Sequence, residues 1–166
     1  MAIFRPTLQR NRVTDLSVKT VQQLKISTLL LDVDNTLSTH HSQIPLNGVE
    51  KWLADMTEAG VSLFIVSNAK KERVAPFAEQ LGLPYFWLCK KPLPFRLKKA
   101  IRQLGAEKRS VMLCGDQLFT DMAAGNLCGI RTLLVTPAQL ETGWTFRLRR
   151  CLERPLLKRY KKEQSQ

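Results

Sequence analysis

The sequence predicts an α/β protein in which a parallel sheet of about five strands lies between two layers of helices. Short apolar runs alternate along the chain with segments whose apolar residues recur at helical spacing, which is typical of a parallel sheet covered on both faces. A chain of 166 residues, 44% of them apolar, is long enough for one such domain with a sizeable core. Polar residues suited to one kind of chemistry follow several of the runs, as expected where the carboxyl ends of parallel strands meet.

Five apolar runs are predicted as strands because each is short and is bounded by polar residues or turn formers. They cover residues 27–31, 61–66, 85–89, 111–114 and 132–135. Helices are predicted over residues 17–24, 46–60, 73–81, 95–104 and 121–128. In the second helix Leu46, Val49, Leu53 and Met56 share one face, and Gly60 ends it. The polar stretch between the first strand and this helix predicts a loop.

Residues 1–140 are predicted to form a single domain, with residues 1–26 as an N-terminal helical extension, and residues 141–166 form a basic tail. In the tail, apolar residues recur at every fourth position among arginines and lysines: Trp144, Leu148, Leu152, Leu156 and Tyr160. A basic amphipathic segment of this kind is typical of an element that lies on a membrane surface. The alternative, which the sequence leaves open, is that the apolar stripe packs on the domain while the charges are solvated.

The net charge of +12 and the pI near 10 indicate contact with an anionic partner, which could be nucleic acid, a phospholipid surface or a phosphorylated substrate. Simple solubility is the alternative reason for the charge. No apolar run approaches the roughly 18 residues of a membrane helix, and the early Arg5 and Pro6 do not fit a secretory signal. The four scattered cysteines favour reduced thiols over a zinc site. We therefore expect a cytoplasmic protein.

Two carboxylates, Asp32 and Asp34, follow the first predicted strand directly. Residues i and i+2 of a strand lie on the same side, so the strand presents both carboxylates together. Adjacent carboxylates repel each other and are costly to bury unless a cation or a shared proton compensates them. The pair therefore predicts a metal site, with one carboxylate as nucleophile and the other as a proton donor and acceptor.

Other strand ends carry residues that fit phosphate chemistry. Ser67 and Asn68 follow the second strand, Lys90 and Lys91 follow the third, and Gly115 with Asp116 follows the fourth, with Asp121 five residues later. Each group alone is more often a turn, a helix cap or a solvated face. Together and in this order they predict one active site at the carboxyl edge of the sheet.

In these motifs the chain resembles the haloacid dehalogenase (HAD) superfamily of phosphatases. The matching segments are LDVDNTL, VSNAKKERV, KKPLP and GDQLFTDMAAGN, and their wording is similar to the YqeG-type members of subfamily IIIA. The resemblance runs from about residue 4 to about residue 160. It implies a three-layer Rossmann-like HAD fold. Lys90 is an extra cation beside the lysine expected next to Pro92, and the loop Thr39-His40-His41 is more polar than expected.

The resemblance implies a role for each motif residue. Asp32 would be the nucleophile that forms an aspartyl-phosphate, and Asp34 would protonate the leaving alcohol and then activate water. Mg²⁺ would be held by Asp32, Asp116 and the backbone carbonyl of Asp34.

The remaining motif residues would serve the phosphoryl group and the metal. Ser67 and Asn68 would donate hydrogen bonds to the phosphoryl oxygens, and Lys91 rather than Lys90 would offset the negative charge. Asp121 would support a metal-bound water or orient Lys91. His40 and His41 are interpreted as solvated loop residues.

The gaps between Thr36 and Ser67 and between Ser67 and Lys91 are too short for a cap domain of about 50 residues, so the site is expected to be open. The family is similar to the mitochondrial and plastid phosphatases that convert phosphatidylglycerophosphate to phosphatidylglycerol, and this implies a lipid phosphatase at the inner face of the membrane. A phosphatase for a phosphoprotein, a nucleic-acid end or a small metabolite is the second hypothesis. A non-enzymatic RNA- or ribosome-binding module is the third.

Overall fold

A computed structural model describes residues 2–139 of the chain. The predicted basic tail and its apolar stripe lie outside the described residues. In the described part, a sheet of six strands runs through the centre of the molecule, and helices cover both of its faces.

All six strands are parallel, in the spatial order β1-β6-β5-β2-β3-β4. They are β1 (Leu8–Arg10), β2 (Thr28–Leu31), β3 (Ser62–Val66), β4 (Tyr85–Phe86), β5 (Val111–Gly115) and β6 (Arg131–Val135). The strand that ends in Asp32 is therefore central, with β5 on one side and β3 on the other. This order brings the carboxyl ends of the motif-bearing strands to one edge of the sheet.

Five α-helices pack against the sheet. They are α1 (Val18–Gln23), α2 (Val49–Glu58), α3 (Lys71–Gln80), α4 (Phe95–Gln103) and α5 (Ala123–Cys128). Side chains that alternate along the strands separate two cores, because Leu29 and Leu31 pack with α1, α2 and α3, whereas Leu30 packs with α4 and α5. The predicted three-layer architecture is confirmed.

The structure differs from the sequence prediction in three places. Strand β1 pairs with β6 inside the segment that was expected to be a helical extension. Strand β4 ends at Phe86 instead of residue 89, because Leu88 takes a left-handed conformation (φ 46°) and its amide bonds to Ala69 on the neighbouring loop. A π-helix, Leu118–Met122, precedes α5, so the α-helix begins at Ala123 instead of at residue 121 as predicted.

The connections that follow β2 and β3 are short. Each holds loop residues and one helix, α2 or α3, so the described chain has no cap domain over this edge of the sheet. The three cysteines of the described part, Cys89, Cys114 and Cys128, are free and buried, as expected. None of the helices within residues 2–139 has both the length and the apolar character to cross a membrane.

Candidate active site

The two carboxylates after β2 point to different surroundings because the chain turns sharply between them and the next residues. The Asp32 amide continues the sheet by donating to the Cys114 carbonyl of β5 at 3.0 Å. Asn35 then takes the left-handed conformation (φ 61°), which asparagine tolerates better than most residues. Its amide donates to the Ser38 carbonyl at 2.7 Å and closes the turn. Asp32 is left almost fully buried, while Asp34 is partly exposed.

Lys91 is clamped between two carboxylates. Its Nζ lies 2.6 Å from Oδ1 of Asp32 and 2.6 Å from Oδ1 of Asp121, and it also donates to the Val66 carbonyl at 3.0 Å. Its side chain is 2% exposed. A buried lysine with three acceptors for its three hydrogens is held in a single position, with its charge directed at Asp32.

Asn68 fixes the backbone of Lys91 at two points. The Lys91 amide donates to Oδ1 of Asn68 at 2.7 Å, and Nδ2 of Asn68 donates to the Lys91 carbonyl at 3.0 Å. Lys90, in contrast, is exposed. The geometry therefore distinguishes the two adjacent lysines and places Lys91, as the sequence predicted, beside the acidic residues. It also gives Asn68 a contact that the sequence did not predict.

Three buried carboxylates gather around this lysine. One oxygen each of Asp32, Asp116 and Asp121 lies within 4.8 Å of the others. The close approach of Asp121 depends on Gly115, since a Cβ at that position would lie 2.3 Å from Cγ of Asp121. The orientation of the Asp121 carboxylate is fixed in part by the Gln117 amide, which donates a hydrogen bond to Oδ2 of Asp121 at 3.2 Å.

Three buried carboxylates meet beside one buried ammonium group, and adjacent buried carboxylates are costly unless a cation or a shared proton compensates them. Oxygen ligands in this number suit a hard divalent cation such as Mg²⁺. The residues present therefore fit a divalent metal. The Asp34 side chain is not part of the cluster.

Asp34 is held by Arg73 of α3. Nη2 and Nε of Arg73 lie 2.9 Å and 3.2 Å from Oδ1 of Asp34, and Nη2 also donates to Oγ of Ser38 at 2.7 Å. The guanidinium carbon lies 5.3 Å from the ring centroid of Phe77, so its flat side is covered. The His41 amide donates to the same Oδ1 at 3.2 Å. The hydrogen bonds from Arg73 and His41 to this carboxylate all reach Oδ1.

Burial shifts the proton affinities of the central pair. It raises the pKa of Asp32 to about 7, and the attraction of Lys91 opposes this shift without cancelling it. Burial alone would lower the pKa of Lys91, but the charges of Asp121 and Asp32 outweigh it and raise that pKa well above its ordinary value. Lys91 therefore stays protonated at every physiological pH, while Asp32 can exchange a proton near neutrality.

These residues line a cavity of about 290 Å³ at the carboxyl edge of the sheet. Ser67, which is buried, lies at the end of β3, and its Oγ accepts a hydrogen bond from the Ala69 amide at 3.1 Å. His40 and His41 also line the cavity. The sequence interpretation treated both as solvated loop residues and missed this position, because only the fold brings the loop after β2 over the site.

A larger cavity, of about 450 Å³, lies on the other side of the loop at Asn35 and Thr36. No carboxylate is among its lining residues, and Arg12 is the charged one. The chemistry therefore belongs to the smaller cavity, where the titratable groups converge.

The structure brings seven of the predicted site residues together at one edge: Asp32, Asp34, Ser67, Asn68, Lys91, Asp116 and Asp121. Their catalytic roles stay predictions. Sequence analysis missed Arg73, which lies in the motif VSNAKKERV but was interpreted only as a helix residue. Its charge beside three polar neighbours carried no signal for a partner 39 positions away.

The structure defines an α/β protein with a parallel sheet and, at the carboxyl edge of that sheet, a buried acidic cluster that fits a divalent cation. Residues 4–135 match the model of the haloacid dehalogenase-like hydrolase family, and the chain belongs to that family.

Comparison with known proteins narrows the relationship. The chain is 29% identical over 160 residues to the probable phosphatase YqeG of Bacillus subtilis strain 168, covering 96% of this chain and 93% of that protein. This supports a YqeG-type enzyme, and a phosphatase.

Solved structures share the fold. An uncharacterized protein from Listeria monocytogenes serotype 4b aligns with a TM-score of 0.60 at 15% identity, over 71% of this chain and 85% of that one. The cobalt-bound deoxy-D-mannose-octulosonate 8-phosphate phosphatase of Haemophilus influenzae aligns with a TM-score of 0.51 at 15% identity, over 70% and 82%. At this identity the likeness concerns the fold alone.

Proposed function

We propose that the protein is a Mg²⁺-dependent phosphomonoesterase that acts through an aspartyl-phosphate on Asp32. One observation carries this proposal: a buried carboxylate is held at 2.6 Å by a lysine that is itself fixed on its other side by Asp121. A phosphate monoester dianion repels nucleophiles, so catalysis must fix the attacking group and compensate negative charge. Through Nζ, Lys91 both fixes the position of Asp32 and compensates negative charge.

The acidic cluster would hold the metal. Asp32 and Asp116, with the backbone carbonyl of Asp34, would be ligands of Mg²⁺, and Asp121 would orient Lys91 through its contact at 2.6 Å. The bound cation would neutralise charge on the phosphoryl oxygens during transfer.

In the first step, an oxygen of Asp32 attacks phosphorus and the bond from phosphorus to the leaving oxygen breaks. Asp34, in its protonated form, gives its proton to the leaving oxygen, which departs as an alcohol. Lys91 compensates charge on Asp32 and on the transferred group, and the Ser67 hydroxyl together with Asn68 would bind phosphoryl oxygens.

In the second step, Asp34 is a carboxylate and accepts a proton from water as the water oxygen attacks phosphorus. The bond between Asp32 and phosphorus breaks, inorganic phosphate leaves, and both carboxylates return to their starting states. Arg73 stays on Oδ1 of Asp34, so the proton exchanges at Oδ2.

The proposed substrate is phosphatidylglycerophosphate or a similar phosphomonoester held on a surface. The absence of a cap over the described site suits a large or surface-bound substrate. A net charge of +12 favours an anionic surface, and the basic sequence of residues 141–166 adds to that attraction. The resemblance to the lipid phosphatases described above supports phosphatidylglycerophosphate as the particular substrate.

An open site also suits a phosphoprotein, a nucleic-acid end or a small metabolite, and the positive charge favours nucleic acid among these. This second candidate keeps the chemistry at Asp32 and changes only the group attached to phosphate. A non-enzymatic RNA-binding role would leave the clamped lysine without a function.

The test is release of phosphate from phosphatidylglycerophosphate in mixed micelles with Mg²⁺, for the native chain and for Asp32→Asn. Release that needs both Mg²⁺ and Asp32 supports the full proposal. Asp32-dependent cleavage of an aryl phosphate without cleavage of the lipid keeps the phosphatase and removes the lipid substrate. Absence of turnover on both substrates contradicts the proposal that the protein is a phosphatase. Steeply salt-dependent RNA binding would then favour the RNA-binding module.

A further inference from the structure

Exposed apolar side chains of the described part are concentrated in segments that follow strands at the carboxyl edge of the sheet, the edge that also holds the candidate active site. Five large apolar residues of the described part are exposed: Ile44 (76%), Leu88 (40%), Leu93 (49%), Phe95 (71%) and Leu127 (47%). The first four lie on the loops that follow β2 and β4 or on the first residue of α4, and Leu127 lies on α5. An exposed apolar residue is ordinary by itself, but four at one edge of the sheet indicate a contact surface.

These loops belong to one continuous edge. Strands β2, β3 and β4 are neighbours and parallel, so the loops after them leave the sheet on the side that holds Asp32. Hydrogen bonds join the loops to one another. Nε2 of Gln43 donates to the Arg73 carbonyl at 3.0 Å, and the Leu88 amide donates to the Ala69 carbonyl at 2.9 Å.

Cations lie between the apolar residues. Four exposed basic side chains lie on the loops after β3 and β4 or at the starts of α3 and α4: Lys70, Lys71, Lys90 and Arg96. Lys71 and Arg96 both contact Trp87, the first through its ammonium 5.3 Å from the ring centroid and the second by a 3.1 Å bond to the carbonyl. One exposed carboxylate, Glu72, opposes them. We call these four apolar and four basic residues the rim surface.

The outward position of Leu88 is built into the backbone. Its φ of 46° lies in the left-handed region, which leucine rarely adopts. The conformation is fixed by backbone bonds on both sides, because the amides of Leu88 and Cys89 donate to Ala69 and Ser67. A side chain that could have joined the core therefore lies at the rim of the site.

We infer that the rim surface docks on an anionic phospholipid bilayer, with Ile44 and Phe95 entering the boundary between headgroups and acyl chains. Separate apolar side chains interspersed with cations suit an interface that is apolar below and anionic above. Three of the four apolar residues are aliphatic, whereas single-stranded nucleic acid is bound by stacking on aromatic rings. This inference rests on the proposed function for its substrate: docking through the rim turns the cavity at Asp32 toward a phosphorylated headgroup.

The test compares two variants of the full chain in cosedimentation with vesicles. Ile44→Ser/Phe95→Ser removes the two most exposed apolar side chains of the rim, and Leu104→Ser, at the opposite end of α4 from Phe95, is the control. On vesicles of phosphatidylglycerol and phosphatidylcholine we expect the double variant to bind about tenfold more weakly, and the control to bind like the native chain. Turnover of a soluble aryl phosphate should be the same for all three.

A variant with fewer positive charges tests the basic residues of the rim surface. Lys70→Gln/Lys71→Gln should weaken binding to the anionic vesicles at low salt and reduce the dependence of binding on salt concentration. Binding by the native chain to pure phosphatidylcholine should be weaker than to the mixed vesicles. Equal binding of both lipids would contradict the role of the cations.

The outcomes separate this inference from the proposed function. Rim-dependent vesicle binding without cleavage of phosphatidylglycerophosphate supports the docking surface and removes the lipid substrate. Cleavage of that lipid in micelles, with vesicle binding that the double variant leaves unchanged, overturns the docking surface and keeps the function. Rim-dependent capture of single-stranded RNA without any vesicle binding overturns the choice of partner.

Discussion

Asp32 and Asp34 are two residues apart on the same chain turn, yet they have opposite surroundings. Asp32 is buried at the end of β2 and faces a lysine that is locked between two carboxylates. Asp34 is 18% exposed at its side chain and faces an arginine that contacts one of its oxygens. The two carboxylates therefore differ in burial and in the kind of cation that holds each of them, and this difference fits the separate tasks proposed for them.

The lysine at Asp32 is a point charge with all three hydrogens used, which suits compensation of charge at a fixed place. The arginine at Asp34 is a planar fork that fixes the orientation of the carboxylate. We therefore expect substitutions at Asp32 to stop the reaction, and substitutions around Asp34 to alter proton transfer.

The largest expected effect comes from replacing the two carboxylates one at a time. Asp32→Asn should lower the turnover of an aryl phosphate by about 10⁴-fold or more, because the nucleophile is lost. Asp34→Asn should lower it by about 10²- to 10⁴-fold, the usual contribution of a general acid and base. Single-turnover kinetics with Mg²⁺ measure both. An equal loss of turnover in the two variants would contradict the proposal that Asp32 and Asp34 have different roles.

Lys91→Met should lower both stability and activity, and Lys90→Met is its matched control. Removing Lys91 leaves Asp32 and Asp121 buried without their cation, which costs about 3–5 kcal/mol of the free energy of unfolding. Turnover should fall by about 10²- to 10³-fold, since the charge near the phosphoryl group is lost. Urea unfolding and aryl phosphate kinetics are the measurements. Native stability and turnover in the Lys91→Met protein would contradict the role proposed for Lys91. Losses of the same size in the Lys90→Met protein would contradict it as well.

Cation binding should depend on pH through Asp32. Because burial raises the pKa of Asp32 to about 7, the metal-free protein carries a proton there below neutrality, and a cation must displace it. The apparent affinity for Mg²⁺ should therefore rise by up to about tenfold per pH unit toward pH 7 and level off above it. Titration calorimetry in buffers of different ionisation enthalpy measures the released proton. A constant affinity from pH 5.5 to 8 would contradict the linkage.

The same shift has a consequence for the stability of the metal-free protein. A carboxyl group whose pKa is higher in the folded state stabilises folding at low pH, and this contribution is lost as pH rises through the folded-state value of about 7. The Asp32→Asn protein should lack this part of the pH dependence. Urea unfolding in the presence of a chelator at pH 5 and pH 8 compares the two proteins.

The smallest effects are expected around Arg73. Arg73→Leu should slow the cleavage of an alkyl phosphate about tenfold more than that of an aryl phosphate, because only the alkyl leaving group needs a proton from Asp34. Arg73→Lys keeps the charge and loses the fork, so its selectivity between the two substrates should lie between those of Arg73→Leu and the native chain. Ser38→Ala, which removes one acceptor of Arg73, should change turnover by less than about fivefold. Equal slowing of both substrates by Arg73→Leu would indicate a structural role alone.

Sequence analysis predicted the parts of this molecule that depend on local pattern. Five of the six strands and all five α-helices of the described part were found, because apolar periodicity and glycine stops are local signals. Lys91 was chosen over Lys90 through its place beside Pro92, and the burial of its ammonium agrees with that choice. Strand β1 was missed because Leu8-Gln9-Arg10 has a single apolar residue and pairs with β6 from 125 positions away.

Contacts between distant polar residues were beyond the sequence. Arg73 meets Asp34 across 39 positions, and Asn68 meets Lys91 across 23, and neither pair leaves a periodic trace. The π-helix Leu118–Met122 was not predicted, and the helix predicted over residues 121–128 overlaps it only at Asp121 and Met122. Of the rim residues, Leu88 had been assigned to a strand and Phe95 to a helix by their apolar character, and their exposure was not predicted.

Lys91 also makes activity dependent on the weakest part of the sheet. It leaves the loop after β4, an edge strand of two residues, and reaches across β3 to contacts at the ends of β2 and β5. Short edge strands open at low free energy, well before the core unfolds. In a denaturant titration, we therefore expect activity to be lost at a lower denaturant concentration than the one at which the buried Trp52 of α2 becomes exposed by global unfolding. A partly folded chain, newly made or damaged, would hold its aspartates in place and still be unable to turn over substrate.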